Sequence, residues 1–241
     1  YAWAFGDGQN GLNASTQHNY ATAGRYTARL ITTTNHNCKD TLTAPVVVYP
    51  KPIIQNIAVT DVCDPDSHSF AQTSIVDTLF ASTIGQWNWA FGDGNVGSAN
   101  AIVHDYLNPG GYQAGLVVET NHACRDTLTD SVFLFPKPIA DFVNPDRCQP
   151  EAYAPLDISV VNPAVGAAIN GWHWDFGDSY TSTQQFPTHN YQTPGSYPVE
   201  LRIVTNHGCR DTLLQVMQYN PKPQAAFTWV TNCWPQPLAL T

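Results

Sequence analysis

The chain has 241 residues and a formal net charge of −9, and only 12% of its residues are charged. The sequence has no basic patch, so nucleic acid is an unfavourable partner, because phosphate backbones are bound by clustered Lys and Arg. Apolar runs all fall short of the ~18 residues that a membrane-spanning helix requires, and we expect no signal peptide within these residues. Aromatic residues make up 12% of the chain, and Thr, Asn, Gly and Pro are frequent, which favours an exported β protein.

One eight-residue motif occurs three times, starting at Tyr1, Trp87 and Trp172, and alternates large aromatics with smaller residues. Side chains alternate between the two faces of a strand, so the pattern predicts a strand that buries its aromatics on one face. The predicted core and turn residues are Trp3, Phe5, Asp7, Trp87, Trp89, Phe91, Asp93, Trp172, Trp174, Phe176 and Asp178. The chain begins inside a copy, so we expect a window of a longer exported protein.

A Gly-Asp turn ends each aromatic strand, with the carboxylates of Asp7, Asp93 and Asp178. Glycine adopts positive φ without a Cβ clash, and Asp accepts hydrogen bonds from nearby backbone amides. Calcium ligation is the alternative, but no D-x-D-x-D loop surrounds these residues. We therefore predict turn carboxylates and no cofactor.

Each unit begins with a Pro-Lys-Pro segment that is preceded by Tyr, Phe or Asn, at residues 49–52, 135–138 and 220–223. Two prolines fix φ and disfavour helix, so these linkers are predicted to be short, extended and stiff. First strands are predicted to follow at residues 53–60, 139–143 and 224–230. A polar loop with one cysteine and a second strand then lead to the aromatic strand.

Beyond the Gly-Asp turn lie a His-x-Tyr motif, a turn with glycine, an alternating strand and an Asn-His-x-Cys hairpin. In the third unit Glu200 and Arg202 are predicted to face outward, and the inward set is Tyr197, Val199, Leu201 and Ile203. About seven short strands per ~85 residues predict an antiparallel sandwich. The predicted units are repeat 1 (residues 1–49, without its first strands), repeat 2 (50–135), repeat 3 (136–221) and the start of a fourth repeat (222–241).

These motifs (W-x-W-x-F-G-D-G, H-x-Y, and G-x-Y before an alternating strand) resemble the PKD domain family, across essentially the whole chain. Ala4, Ala90 and Ser179 depart from the family pattern. The resemblance implies an all-β fold of tandem immunoglobulin-like antiparallel β-sandwiches in a head-to-tail rod. It implies an extracellular spacer or adhesive array without catalysis, and the added cysteines resemble repeats in large surface proteins of Bacteroidetes-type bacteria.

Six cysteines, an even number in an exported chain, indicate disulfides. The loop after the first strand and the last hairpin are expected at opposite ends of a sandwich, about 25 Å apart, whereas a disulfide needs Cα atoms within ~7 Å. We therefore predict a bridge between repeats, Cys63 to Cys209. The other cysteines would pair with adjacent or outside repeats: Cys38, Cys124, Cys148 and Cys233. Pairing within repeats, Cys63–Cys124 and Cys148–Cys209, stays open.

Six histidines recur at matched places: His18, His104, His189, His36, His122 and His207. A zinc site needs four converging ligands, and one hairpin supplies only a His and a Cys. A catalytic pair of His122 and Cys124 is disfavoured, because three similar hairpins in three repeats indicate architecture. We predict structural histidines, no metal site, no catalytic residue and no enzyme activity.

Asp-Thr-Leu occurs in each hairpin and resembles an O-glycosylation signal of Bacteroidetes, at Thr41, Thr127 and Thr212. Asp77-Thr78-Leu79 also matches. The equally weighted alternative is a polar strand start with Thr outward and Leu inward.

The predicted function is a stiff structural segment of a bacterial extracellular filament, fibre or giant surface adhesin. Predicted partners are copies of the chain or neighbouring repeats, with surface glycans as a further option, and the predicted location is extracellular or on the bacterial cell surface. The alternative is a set of polysaccharide-binding repeats of a secreted hydrolase, with Tyr180, Phe186 and Trp234 as stacking residues.

Overall fold

The computed structural model describes residues 1–227 and divides the chain into two compact units, residues 1–134 and 135–241. In the described part, strands dominate, and the two helices are single 3-10 turns, η1 (Leu79–Ala81) and η2 (Ala164–Gly166). The strands are β1 (Ala2–Ala4), β2 (Asn10–Leu12), β3 (Gly24–Thr33), β4 (Lys39–Val48), β5 (Ile53–Ala58), β6 (Val62–Cys63), β7 (His68–Ile75), β8 (Ile84–Ala90), β9 (Val96–Gly97), β10 (Ile102–His104), β11 (Gly110–Thr120), β12 (Arg125–Phe135), β13 (Phe142–Val143), β14 (Arg147–Cys148), β15 (Leu156–Asp157), β16 (Ile169–Asp175), β17 (Thr181–Ser182), β18 (Gly195–Thr205) and β19 (Arg210–Asn220).

The first unit contains one sheet from repeat 1 and two sheets from repeat 2. Repeat 1 forms a four-stranded antiparallel sheet in the order β2-β1-β3-β4. Repeat 2 forms a three-stranded sheet, β10-β7-β5, and a five-stranded sheet, β6-β12-β11-β8-β9. The repeat 2 core consists of Ile54, Ile57, Phe70, Trp89, Phe91, Tyr106, Ala114, Leu116, Val118, Val132 and Leu134.

The second unit has the same two-sheet plan. Its small sheet is β13-β15, and its large sheet has the order β14-β19-β18-β16-β17. Strand β14 runs parallel to β19, whereas the other described pairs of this unit are antiparallel. The core consists of Ala140, Phe142, Tyr153, Trp174, Phe176, Tyr191, Val199, Leu201, Ile203, Met217 and Tyr219.

Burial follows the predicted alternation along β18 closely. Val199, Leu201 and Ile203 are buried and Arg202 is exposed, whereas Tyr197 and Glu200 are both half-buried. The strand prediction is confirmed here, and the paired sheets of repeats 2 and 3 confirm the predicted all-β sandwich fold.

Three of the predicted core tryptophans are less buried than predicted. Trp3, Trp87 and Trp172 are only half-buried, while Trp89 and Trp174 are completely enclosed. In repeat 3 the reason is visible, because the Trp172 indole meets the Asp157 carboxylate at the edge of the core.

The predicted first strands are shorter than expected. The strand predicted at 53–60 is β5, and the one predicted at 139–143 is reduced to β13 with an isolated bridge between Ile139 and Val160. Residues 221–227 contain no strand, so the described part of the strand predicted at 224–230 is irregular, and the remainder lies outside the described residues. Within residues 1–227 no helix has the length and apolar character needed to cross a bilayer.

Candidate functional site in the Asp-His turns and the linkers

The Gly-Asp turn of each repeat is closed by an Asp-His pair. In repeat 2, Asn95 N donates to Asp93 Oδ1 over 3.0 Å, and His104 Nε2 donates to Asp93 Oδ2 over 2.8 Å. The His104 ring stacks on Phe91 with centroids 4.0 Å apart. Gly92 has φ +86°, and a Cβ there would lie 2.6 Å from the Gln113 carbonyl oxygen, so this turn requires glycine.

The same pair forms in the other two repeats. His18 Nε2 lies 2.6 Å from Asp7 Oδ2, and His189 Nε2 lies 2.7 Å from Asp178 Oδ2. Backbone amides also donate to both carboxylates. The three carboxylates are therefore held by amides and histidines of their own repeats.

These contacts stabilise the ionised form of the carboxylate. Burial raises the pKa of Asp93, but the hydrogen bonds from Asn95 and His104 outweigh it, so the net pKa lies below the ordinary value. For Asp7, burial likewise raises the pKa, and the bonds from Gln9 and His18 bring it below that value. Within residues 1–227 no group of three or more His, Cys, Asp or Glu residues is arranged to hold a metal ion.

A pair of tyrosines ties the turn to the next strand. In repeat 2, Tyr106 donates its hydroxyl to the Phe91 carbonyl over 2.8 Å, and Tyr112 stacks on Tyr106 at 3.9 Å. Burial is the main cause that raises the pKa of Tyr106, so this hydroxyl stays protonated and remains a donor. The same bond occurs from Tyr20 to Phe5 and from Tyr191 to Phe176.

The linker at 49–52 is fixed to repeat 2 by ring contacts. Tyr49 stacks on His122 with centroids 3.7 Å apart, and its edge faces Phe80. His122 Nε2 donates to the Phe80 carbonyl over 3.2 Å, and the Arg25 guanidinium of repeat 1 lies 5.2 Å from the Phe80 ring centroid. Repeat 1 and repeat 2 therefore contact each other through this cluster as well as through the chain.

A lysine-carboxylate contact fixes the same linker a second time. Lys51 Nζ lies 2.6 Å from Asp126 Oδ1, and Ile54 N donates to Asp126 Oδ2 over 2.9 Å. The Lys51 ammonium, followed by the Ile54 amide, lowers the pKa of Asp126. The aspartate of the Asp-Thr-Leu motif thus holds the linker and the first strand together.

The linker at 135–138 repeats both contacts inside the second unit. Phe135 stacks on His207 at 3.9 Å, Lys137 Nζ lies 3.3 Å from Asp211 Oδ1, and Ala140 N donates to Asp211 Oδ2 over 2.9 Å. Burial raises the pKa of Asp211, but its bonds to Ala140 and Lys137 lower it further than burial raises it. The motifs are recognisable in the sequence, but their pairing is not, because the partners lie more than 70 residues apart in the chain.

In repeats 2 and 3 the asparagine of the hairpin anchors the neighbouring 3-10 turn. Asn121 Oδ1 accepts from Thr83 N, and Asn121 Nδ2 donates to the Ala81 carbonyl, both over 3.0 Å. Asn206 makes the matching bonds to Ala168 and Gly166. In repeats 2 and 3 the Asn of the hairpin therefore holds the 3-10 turn, while its His and its Asp hold the linker.

The cysteines fall into two chemical groups. Cys63 and Cys209 are disulfide-bonded, whereas Cys38, Cys124 and Cys148 are free thiols. The alternative with pairs Cys63–Cys124 and Cys148–Cys209 is therefore wrong, and Cys233 lies outside the described residues.

Geometry inside the second unit gives the reason. Cys148 lies beside Asn220 at the end of β19, and Cys209 directly precedes the start of that strand. Eleven residue steps, from Cys209 to Asn220, at about 3.3 Å each place the two cysteines roughly 36 Å apart, far beyond disulfide reach. The pairing of Cys63 with Cys209 stays a prediction.

The residues of the two surface predictions are exposed. Tyr180 and Phe186 are 64% and 57% exposed, and Trp234 lies outside the described residues. The threonines of the Asp-Thr-Leu motifs are exposed as well, at Thr41, Thr127 and Thr212.

Comparison with known families gives one match, which covers most of the chain. The model of the PKD domain matches residues 1–48, 49–134 and 136–219.

Curated relatives match over short stretches. The pre-pro-metalloprotease PrtV of Vibrio cholerae is 38% identical over 65 residues, which are 26% of this chain and 7% of that protein. A microbial collagenase of Vibrio alginolyticus is 49% identical over 39 residues, 16% of this chain and 5% of that protein. The chain thus spans less than a tenth of the length of these relatives.

Solved structures include PKD domains and longer arrays. The PKD1 domain of Vibrio cholerae PrtV is 28% identical and covers 35% of this chain and 98% of that domain, with a TM-score of 0.31. The PKD1 domain of Vibrio anguillarum Epp is 23% identical over 35% of this chain and 93% of that domain, also with a TM-score of 0.31. The I67–I69 fragment of titin is 12% identical and covers 92% of this chain and 87% of the fragment, with a TM-score of 0.46.

Proposed function

Because the chain belongs to the PKD domain family through three tandem matches, we propose that it is a stiff spacer segment of a bacterial extracellular filament, fibre or large surface adhesin. The observation that carries the proposal is the double attachment of the linkers at 49–52 and 135–138. An aromatic residue stacks on a hairpin histidine, and a lysine pairs with a hairpin aspartate, in both repeat 2 and repeat 3.

Linker length supports stiffness between repeats 1 and 2. Only residues 49–52 separate the end of β4 from the start of β5. Pro50 and Pro52 are both buried, and proline fixes φ, so the segment has little freedom to bend. A flexible tether would be longer, exposed and rich in Gly and Ser.

Covalent bridging is the second part of the proposal. We propose that Cys63 bonds to Cys209, which would restrict motion between repeat 2 and repeat 3. The disulfide-bonded state of both residues supports it. Peptide mapping of the unreduced protein tests it: a linked peptide pair with Cys63 and Cys209 is expected, and a Cys63–Cys124 pair would refute it.

Self-association is the third part, with another copy or a neighbouring repeat as the partner. In repeat 1 the inward residues Trp3, Ala28 and Leu30 are half-buried, whereas Ala114 and Leu116 of repeat 2 are completely buried. Such a sheet face can pack against a second sheet, and the edge strands β2 and β4 can accept an added strand. Sedimentation of the 241-residue chain over a range of concentrations should show assembly, and a monomer at every concentration would count against it.

Stiffness can be tested across the first linker. Fluorophores on unnatural amino acids at Thr43 and Ser131 report the distance distribution between repeats 1 and 2 by single-molecule energy transfer. We expect one narrow distribution, and a broader one when Tyr49→Ala and Asp126→Asn are combined. Asp130→Asn is the matched control, because Asp130 is exposed on the same strand and bonds only locally, to Ser131 N. A broad distribution in the unaltered chain would refute the stiff spacer.

A second candidate is a polysaccharide-binding accessory array of an extracellular hydrolase. Exposed Tyr180 and Phe186 in repeat 3 favour it, since sugar rings stack on exposed aromatics. Pull-down on insoluble chitin and cellulose tests it, with a Tyr180→Ala and Phe186→Ala double variant as the control. Retention that the double variant loses would favour this candidate over the spacer.

A further inference from the structure

Repeat 3 contains a hydrogen-bonded cluster around Asp157 at the edge of its core. Asp157 Oδ2 accepts from Trp172 Nε1 over 2.8 Å and from Gln185 Nε2 over 3.0 Å. Asp157 Oδ1 accepts from Ser159 N over 3.0 Å. Asp157 is only 8% exposed, so the half-buried indole and the buried carboxylate satisfy each other.

Repeat 2 has different residues at the same places, 85 positions earlier. Gln72 occupies the position of Asp157, and Asn100 occupies that of Gln185. Trp87 and Ser74 correspond to Trp172 and Ser159. Gln72 Nε2 donates to Asn100 Oδ1. Three buried atoms have no hydrogen-bond partner among the described residues: Trp87 Nε1, Gln72 Oε1 and Ser74 Oγ.

The chemistry of these atoms defines what would satisfy them. Trp87 Nε1 can only donate, Gln72 Oε1 can only accept, and the Ser74 hydroxyl can do either. A ligand must therefore accept one hydrogen bond and donate at least one. A metal cation cannot accept from the indole, and an anion without a bound hydrogen cannot donate to the amide oxygen, whereas a neutral hydroxyl can do both.

We propose that repeat 2 binds one neutral hydroxyl group, that of an ordered water molecule, between Trp87, Gln72 and Ser74. This water takes the place that the Asp157 carboxylate has in repeat 3. Unpartnered buried polar groups are rare in native proteins, and internal waters that join two to four such groups are the usual explanation.

A groove next to the site gives the water an exchange route. It has a volume of about 460 Å³ and is lined in part by Gln86, Trp87, Asn88, Ser98 and Asn100. Its uncharged amides and hydroxyl would also suit a sugar. A sugar hydroxyl is disfavoured because all three unpartnered atoms are buried beneath this surface.

Proton NMR of the indole resonances tests the proposal in the full chain. We expect a cross-relaxation peak between the Trp87 indole proton and water, and none for Trp172, whose indole donates to Asp157. Gln72→Asp copies repeat 3 and should abolish the Trp87 peak, and Trp87→Phe identifies the resonance by removing it. Gln86→Ala, on the groove surface, should leave the peak unchanged.

Other outcomes would overturn the proposal. Absence of the water peak at Trp87 in the unaltered chain would show that the site is dry or closed directly by Gln72. A shift of the Trp87 indole resonance on addition of chitohexaose or cellohexaose, with loss of the water peak, would assign the site to a sugar hydroxyl. If Gln72→Asp does not fold, the proposal is still tested by the unaltered chain, in which a water peak is expected for Trp87 and none for Trp172.

Discussion

Repeats 2 and 3 share one polar framework but build their small sheets differently. In repeat 2, β5 and β7 have six and eight residues, whereas β13 and β15 of repeat 3 have two residues each. Pro155 of repeat 3 stands where repeat 2 has Phe70, and proline has no amide to donate to a neighbouring strand.

The large sheets of the two repeats are almost identical in extent. Strands β11, β12, β18 and β19 all have 11 residues. These sheets carry the aromatic strand and the hairpin that fixes the linker. Repeats 2 and 3 therefore share a large sheet of nearly the same extent, while their small sheets differ.

The largest expected loss of stability comes from replacing the central tryptophans, Trp89 and Trp174. Comparing the two losses tests whether both cores depend equally on their tryptophan. Trp89→Ala and Trp174→Ala should each lower the free energy of unfolding of their own repeat by about 3–5 kcal/mol, because each removes a completely buried ring and leaves a cavity. Denaturant titration followed by residue-resolved NMR measures this. Tyr180→Ala, at an exposed site, should change the free energy of unfolding by no more than about 0.5 kcal/mol. Equal losses in all three variants would contradict the assignment of Trp89 and Trp174 to the cores.

The Asp-His turn should give the next largest effect, and it depends on pH. The pKa of Asp93 is lower in the folded than in the unfolded state, so the ionised carboxylate stabilises repeat 2 above the ordinary Asp pKa, and this contribution is lost as the pH falls through the folded value. Asp93→Ala should cost about 1–3 kcal/mol at pH 7, and the cost should fall as the pH is lowered below the ordinary Asp pKa. A pH titration of stability that leaves the difference between the two proteins constant would refute this reason.

The linker aspartates should give a smaller effect that is matched between repeats. Lys51 and Lys137 are largely exposed, so their ion pairs add little, and the main loss on replacement is the charged acceptor for one amide. Asp126→Asn and Asp211→Asn should each cost about 1 kcal/mol. Amide hydrogen exchange should accelerate at Ile54 in the first variant and at Ala140 in the second. Acceleration in only one of them would break the equivalence of the repeats.

The smallest effect concerns the exposed threonines. Replacement of Thr127 or Thr212 by alanine should change stability by no more than about 0.5 kcal/mol. If the Asp-Thr-Leu motifs are glycosylated in the native host, intact-mass measurement should show an excess in hexose steps that each replacement reduces. An unmodified polypeptide mass from native material would remove the glycosylation hypothesis.

Local patterns determined a large part of the fold. The alternation along β18 identified Val199, Leu201 and Ile203 as core residues, because a strand exposes alternate side chains to opposite faces. The three recurring motifs located the repeats and the linkers, and their likeness to a known family identified the sandwich. All these signals act within a few residues or repeat at a fixed interval.

Long-range contacts were decided only by tertiary structure. Lys51 meets Asp126 and Tyr49 meets His122 across more than 70 residues, and no local pattern specifies which carboxylate or ring a linker will find. The half-burial of Trp87 and the different small sheet of repeat 3 also depend on what packs opposite. The sequence by itself determined the elements and their period, because backbone sterics and side-chain alternation are local. The tertiary structure decided how each linker is held, because that depends on which distant side chains fill the space around it.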